Sequence, residues 1–177
     1  ETVKSAIRYF EAADLPVIVR VPSKEYHHIA RAMDMGAEGL MLPMVGNAEE
    51  VRHIIRSMKY YPEGMRGVAL QVAHDRYRPG SVAEKFAATN KRTTLFCQIE
   101  TAEGVKNADA IAAIDGVDCL WVGHFDLSVS LGIPGEFDSP KFKKAIEKTA
   151  AATKKHKKAL GRLVPNVETG IAINAQG

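Results

Sequence analysis

Short aliphatic runs recur along this chain, and each is separated from the next by a stretch whose apolar residues repeat at helical spacing. The runs are Val17-Ile18-Val19-Arg20-Val21, Gly39-Leu40-Met41-Leu42-Pro43-Met44, Thr94-Leu95-Phe96-Cys97-Gln98-Ile99-Glu100, Cys119-Leu120-Trp121-Val122-Gly123 and Ala159-Leu160-Gly161-Arg162-Leu163-Val164. Alternation of this kind builds βα units around a parallel sheet, so the fold class is α/β. The first run is expected to be a buried strand. Before it, Val3, Ile7 and Phe10 mark one face of a helix that ends ahead of Pro16.

The intervening stretches carry helix punctuation. Ser23 is expected to cap a helix bearing Ile29, Ala30 and Met33, which Gly36 stops. Asn47 with Glu50 three positions on predicts a capping box, and Val51, Ile54, Ile55 and Met58 form the stripe behind it. Thr101 is expected to cap one helix carrying Val105, Ala108, Ile111 and Ala112, and Asp115-Gly116 turns the chain into the next strand. Ser139-Pro140 opens a helix with Phe142, Ala145, Ile146, Thr149 and Ala150 inward. Residues 60–92, with Pro62, Gly64, Gly67, Pro79 and Gly80, predict a long loop with short helices, and 124–138 predict another loop. Loops as long as the first are uncommon unless functional.

Five strands in this arrangement fit either a doubly wound sheet or part of a (β/α)8 barrel, and pattern alone does not choose. No Gly-x-Gly-x-x-Gly follows a strand and no Walker sequence occurs, which removes the usual support for a nucleotide-binding open sheet. The 177 residues are 46% hydrophobic and 25% charged, as expected of one globular domain spanning 1–177. No run of 18 apolar residues exists, and Glu1-Thr2-Val3-Lys4 has no apolar signal segment. The net charge of +3 is mild, and Lys141, Lys143, Lys144, Lys148, Lys154, Lys155, Lys157 and Lys158 read as the solvated side of a helix. No nucleic acid and no membrane is therefore expected as a partner. Cys97 and Cys119 lie in apolar runs with no metal or disulfide spacing, which predicts buried, reduced thiols in a cytoplasmic protein.

The polar residues are informative where they meet strand ends. Period-two alternation puts Phe96, Gln98 and Glu100 on one face, and Glu100 ends its run. Asp126 falls just past Gly123, and Arg20 falls near the end of the first run. In parallel α/β folds those ends form the site. Two carboxylates there suit a hard divalent cation, and an Arg can neutralise a developing oxyanion. Each residue also has a structural reading: Glu100 at a helix entry, Asp126 in a turn, Arg20 in an ion pair, Gln98 as a satisfied amide.

The run Gln98-Ile99-Glu100-Thr101-Ala102-Glu103-Gly104-Val105, then Gly116-Val117-Asp118 and Val122-Gly123-His124-Phe125-Asp126-Leu127-Ser128, resembles the metal-binding core of a known family. Val19-Arg20-Val21-Pro22, Leu42-Pro43-Met44-Val45 with Asn47-Ala48-Glu49-Glu50, and Pro62-Glu63-Gly64-Met65-Arg66-Gly67 match in order. The family is that of the 4-hydroxy-2-oxoheptanedioate and 2-dehydro-3-deoxyglucarate aldolases, metal-dependent pyruvate aldolases of barrel fold. The resemblance implies a (β/α)8 barrel lyase that cleaves a 4-hydroxy-2-oxo acid to pyruvate and an aldehyde through a metal-stabilised enolate. It implies Glu100 and Asp126 as ligands of Mg²⁺, Mn²⁺ or Co²⁺, Arg20 at the enolate, and Gln98 with the amides around Phe125 and Asp126 at the substrate. It further implies that Asp34 raises the basicity of a catalytic His across a subunit contact, in a homo-oligomer (trimer or hexamer).

Two departures stand out. His124 replaces the Pro of the family's Gly-Pro-x-Asp, either as a group behind the site or without consequence. The general-base His of an Asp-Gly-Glu-His segment has no counterpart, and none of His27, His28, His53, His74, His124 or His156 matches it. A complete barrel has about 250 residues, so the sequence is expected to be a fragment lacking the first strands and the last strand and helix. His74, in the loop of 60–92, is a candidate for the site entrance. No lysine ends a strand, which fits chemistry without a Schiff base. Related readings are a barrel lyase acting on an acyl-CoA ester and a non-catalytic scaffold or sensor.

Overall fold

The computed structural model describes residues 2–175; Glu1 of the N-terminal stretch read above lies outside them. The elements are α1 (Thr2–Ala12), β1 (Ile18–Arg20), α2 (Tyr26–Asp34), β2 (Gly39–Leu42), α3 (Ala48–Met58), α4 (Val82–Arg92), β3 (Thr94–Ile99), α5 (Ala102–Lys106), α6 (Ala108–Ala112), β4 (Cys119–Val122), α7 (His124–Ser130), α8 (Pro140–His156), β5 (Ala159–Arg162) and α9 (Val167–Asn174). A single 3-10 turn spans Ala73–Asp75.

The five strands are parallel, in the order β1-β2-β3-β4-β5. That order settles the choice pattern left open. A doubly wound sheet reverses its strand order part-way, whereas a sheet whose neighbours are always consecutive is wound one way, as in a barrel. Here five such units form an open arc. One face carries Leu40, Leu42, Leu95, Cys97, Ile99, Leu120 and Val122, all buried against Ile29, Met33, Val51, Ile54, Met58, Ile111 and Phe142 of the helices. The register places Arg20, Met41, Phe96 and Trp121 on the other, half-exposed face.

Several expectations need correction. Among the described residues only β2 flanks β1, and Ile18 and Arg20 are exposed. Ile7 is buried, but Val3 and Phe10 are exposed. Ser23 does not cap α2; Glu25 holds that position, and the Ser23 hydroxyl bonds Glu25 N and His28 Nδ1. Asn47 caps α3 through Glu49 N and Glu50 N, but the Glu50 carboxylate reaches Gly46 N, one residue short of a capping box. The helix after β3 breaks at Asn107 into α5 and α6. Residues 82–92 form an eleven-residue helix with a complete Ser81/Glu84 capping box. The loop expected at 124–138 begins with α7, so Asp126 sits in a helical first turn.

On α8 the lysines are exposed, and Lys155 pairs with Asp109 at 2.9 Å while Lys148 donates to the Lys106 carbonyl. Burial pushes the Cys97 thiol up to about 12 and the Cys119 thiol to about 11, as for inert core residues. Among the described residues no helix is long and apolar enough to cross a membrane.

Candidate active site

The C-terminal ends of β1, β2, β3 and β4 lie side by side along one edge of the sheet because the strands are parallel. Glu100 follows the last residue of β3 and is 2% exposed. Its Oε1 accepts from Met44 N at 3.4 Å, in the connection after β2. Gly123, at the end of β4, lies against the same carboxylate. A Cβ at that glycine would stand 2.8 Å from Glu100 Oε2 and 3.0 Å from Glu100 Cβ. The lack of a side chain at 123 is thus what lets the carboxylate lie between two strand ends.

Arg20 ends β1, and its Nε donates to Gln98 Oε1 at 2.9 Å. Gln98 is buried and one pleat before Glu100. The bond uses the inner nitrogen of the guanidinium and leaves its two outer NH2 groups outside this contact. Burial pushes the Glu100 carboxyl above the ordinary range, and the Asp126 carboxylate pushes it further. The Met44 N–H and the Arg20 guanidinium oppose that shift. Arg20, Gln98, Glu100 and Asp126 are therefore one electrostatic cluster. The first-turn N–H groups of α7, Phe125 and Asp126 among them, lie ahead of the helix's own ladder and have no acceptor within it.

Does this arrangement fit a divalent cation? A buried carboxylate within electrostatic reach of a second, exposed one is costly to keep charged, and a hard dication relieves both charges. The space kept clear by Gly123 lies directly over Glu100. Glu100 and Asp126 are the residues of this cluster that could ligate such an ion, with oxygens of water and substrate as its further donors. The donor set fits.

Other expected residues lie elsewhere. Asp34 ends α2 and pairs with Arg66 at 3.4 Å, at the opposite end of the sheet. His74 is not at a site entrance. It is 2% exposed, its Nε2 lies 3.0 Å from Tyr60 Oη and 2.5 Å from the Ala69 carbonyl, and with Val17 and Glu38 it lines a crevice at the strand N-termini. His27 is exposed, as expected, whereas His28 is half-buried on Ser23, and the exposed His53 meets the Lys24 carbonyl. His124 is half-buried, with its ring 4.5 Å from Phe125 and 5.2 Å from Phe137. These three line an apolar groove of about 440 Å³ with Leu163 and Val164, beside the cluster. Burial, with Arg162 adding to it, lowers the His124 imidazole below its ordinary value. Sequence reading missed Met44 and Gly123, which act through a backbone N–H and an absent side chain.

The model of the HpcH/HpaI aldolase/citrate lyase family matches residues 1–177. The chain belongs to that family. It is 42% identical over 154 residues to the 5-keto-4-deoxy-D-glucarate aldolase of Shigella boydii, covering 87% of this chain and 59% of that one. The chain thus spans less than two thirds of such curated relatives. Among solved structures, an HpcH/HpaI aldolase from Desulfitobacterium hafniense aligns with a TM-score of 0.90 at 32% identity, over 98% of this chain and 67% of that one. The citrate synthase SbnG aligns with a TM-score of 0.87 at 31% identity, over 99% of this chain and 67% of that one. The barrel expected from the family resemblance is consistent with the one-way strand order.

Proposed function

We propose that the protein containing this chain is a metal-dependent aldolase, cleaving a 4-hydroxy-2-oxo acid to pyruvate and an aldehyde and running the reverse addition. The observation that carries this is Glu100, buried at 2% exposure with Asp126 and Arg20 around it at the strand ends. The relatives' name, 5-keto-4-deoxy-D-glucarate aldolase, directs the substrate class toward sugar-acid-derived 2-oxo acids. Cytoplasmic catabolism in a homo-oligomer belongs to the same reading.

Glu100 and Asp126 would hold Mg²⁺, Mn²⁺ or Co²⁺. The ion, when bound, supplies Lewis-acid polarisation of the 2-oxo group. Arg20 faces the negative charge that develops on the 2-oxo oxygen as the C3–C4 bond breaks, and Gln98 holds its Nε so that the outer NH2 groups are presented. First-turn amides of α7, at Phe125 and Asp126, receive the substrate carboxylate. In the cleavage direction the C4 hydroxyl loses its proton to become the aldehyde, and C3 gains one to become the pyruvate methyl. The family resemblance gives the first proton to a histidine of an Asp-Gly-Glu-His segment, which does not occur in these 177 residues. Asp34, paired with Arg66, would support that histidine in a neighbouring subunit.

The test is pyruvate release from a racemic 4-hydroxy-2-oxo acid by the full-length protein, with Mg²⁺ or Mn²⁺, after EDTA, and in Glu100→Gln and Asp126→Asn. Turnover that needs metal and falls to background in both variants is expected. Turnover that persists in either variant would overturn the ligand pair, and no turnover with any such acid would overturn the aldolase reading.

A further inference from the structure

The connection between β2 and α3 holds a conformation that its residues do not favour. Met44 adopts φ +54°, the left-handed region, without being glycine, asparagine or aspartate. That conformation aims Met44 N at Glu100 Oε1. Strained backbone of this kind persists only where its surroundings over-determine it. Those surroundings are specific. Lys24, from the β1–α2 connection, donates to the Met44 carbonyl at 2.9 Å and pairs with Glu50 Oε1 at 2.7 Å. The other oxygen of Glu50 accepts from Gly46 N at 2.8 Å. Val45 N donates to the Gln98 carbonyl at 3.1 Å, and Asn107 Nδ2 to the Gly46 carbonyl at 2.7 Å. A Cβ at Gly46 would stand 3.2 Å from the Glu103 carboxylate, so that wall is closed as well.

We propose that Lys24 and Glu50 are positioning residues for the metal site. Their ion pair clamps the 43–46 connection from outside, holds Met44 left-handed, and so keeps its N–H on the carboxylate of Glu100. The proposal rests on the reading of Glu100 as a metal ligand. Its logic is that of other outer partners, which orient a ligand without touching the ion. Neither residue needs to meet substrate. The charge of Lys24 is engaged by a carbonyl and a carboxylate, in keeping with a clamp rather than a nucleophile.

The experiment is Mn²⁺ binding to the full-length protein, followed by electron paramagnetic resonance, with amide hydrogen exchange at Met44 read by NMR. Lys24→Met and Glu50→Gln are each expected to weaken Mn²⁺ about tenfold, the lower end for outer-partner losses, and to speed exchange at the Met44 amide. The double variant should be no weaker than either single one, because both break one clamp. Met44→Gly added to Lys24→Met is expected to restore most of the affinity, since glycine adopts the left-handed region without strain. Lys59→Met, which breaks the remote Lys59–Glu63 pair of 2.6 Å, should leave binding unchanged. Clamp variants within twofold of wild type, with Glu100→Gln abolishing binding, would overturn the clamp and leave the metal reading standing. Affinity that falls but is not restored by Met44→Gly would overturn it too. Wild-type binding that Glu100→Gln leaves intact would sink the metal reading and the clamp together.

Discussion

At the scale of single residues, the site depends on one missing methyl group. Gly123→Ala would put a Cβ 2.8 Å from Glu100 Oε2, closer than real Cβ atoms come, and the carboxylate is the group that must give way. Metal affinity is expected to fall by about 10- to 100-fold, the scale of a displaced ligand partner, with the far-ultraviolet circular dichroism unchanged. Isothermal titration with Mn²⁺ reads the first and an unaltered affinity would remove Gly123 from the site. Arg20→Ala should act differently. On the proposed reading it removes charge stabilisation at the reacting oxygen, so kcat is expected to fall on the order of 10²- to 10³-fold while Mn²⁺ binding holds. Equal loss of both would make Arg20 a structural ion-pair partner instead. That Glu100, Gln98 and Arg20 lie at strand ends was legible in the sequence, because the aliphatic runs mark the strands and period-two alternation puts Gln98 and Glu100 on one face. Gly123 and Met44 stood in the matched motifs without a role, since how close Glu100 approaches the glycine and where the Met44 N–H points are facts of the packed structure.

At the scale of elements, residues 60–92 were the least legible. α4 buries Thr89 and Asn90 rather than an aliphatic stripe, so the apolar period that marks α3 is absent. The available signal was Ser81-x-x-Glu84, a capping box within a stretch read as loop. What fixes the connection is polar. Tyr60 Oη accepts from Arg66 at 2.6 Å and meets His74 at 3.0 Å, its ring stacks on Phe86 at 4.4 Å, and Asn90 bonds both the N–H and carbonyl of Tyr60. Tyr60→Phe keeps the stacking and strips the hydroxyl from two buried partners. A loss of about 1–3 kcal/mol is expected, the cost of an unsatisfied buried group, measured by urea unfolding. A neutral result would mean water replaces the hydroxyl. His74 adds a pH dependence. Burial, helped by Arg66, holds its imidazole below the ordinary value, against the Ala69 carbonyl, Asp34 and Asp75, which pull it back. The unfolded chain therefore takes the proton first as pH falls. This contribution is full above the unfolded value of roughly 6.5 and shrinks as pH drops through it toward the lower folded value. Urea midpoints should fall from about pH 7.5 to about pH 5.5, and fall less in His74→Gln; equal slopes would show that His74 does not carry the effect.

At the scale of the molecule, fold class was legible in the residue pattern, whereas the barrel winding was legible only through the family resemblance. Strand-helix alternation is shared by barrels and doubly wound sheets, and only pairing order separates them. β1 through β5 pairing consecutively is a long-range fact that no local stretch encodes. That order has an energetic consequence. The cluster draws on Arg20 at the end of β1, Met44 after β2, Glu100 after β3 and Asp126 after β4, so an ion bound there ties four successive units together. An unfolded chain scatters those residues and cannot assemble the same site, so binding energy becomes folding energy. At free Mn²⁺ about 100 times its Kd the gain should be about 2.7 kcal/mol. At roughly 2–4 °C per kcal/mol for a domain of this size, the thermal midpoint is expected to rise by about 5–11 °C and to fall back on adding EDTA. Glu100→Gln should abolish the rise, while Lys24→Met, binding about tenfold more weakly, should give the same rise only at about tenfold higher free Mn²⁺. A midpoint that climbs equally in Glu100→Gln would place the ion somewhere other than the strand ends, because no group elsewhere in the cluster could replace a buried carboxylate already turned toward Gly123 and Met44.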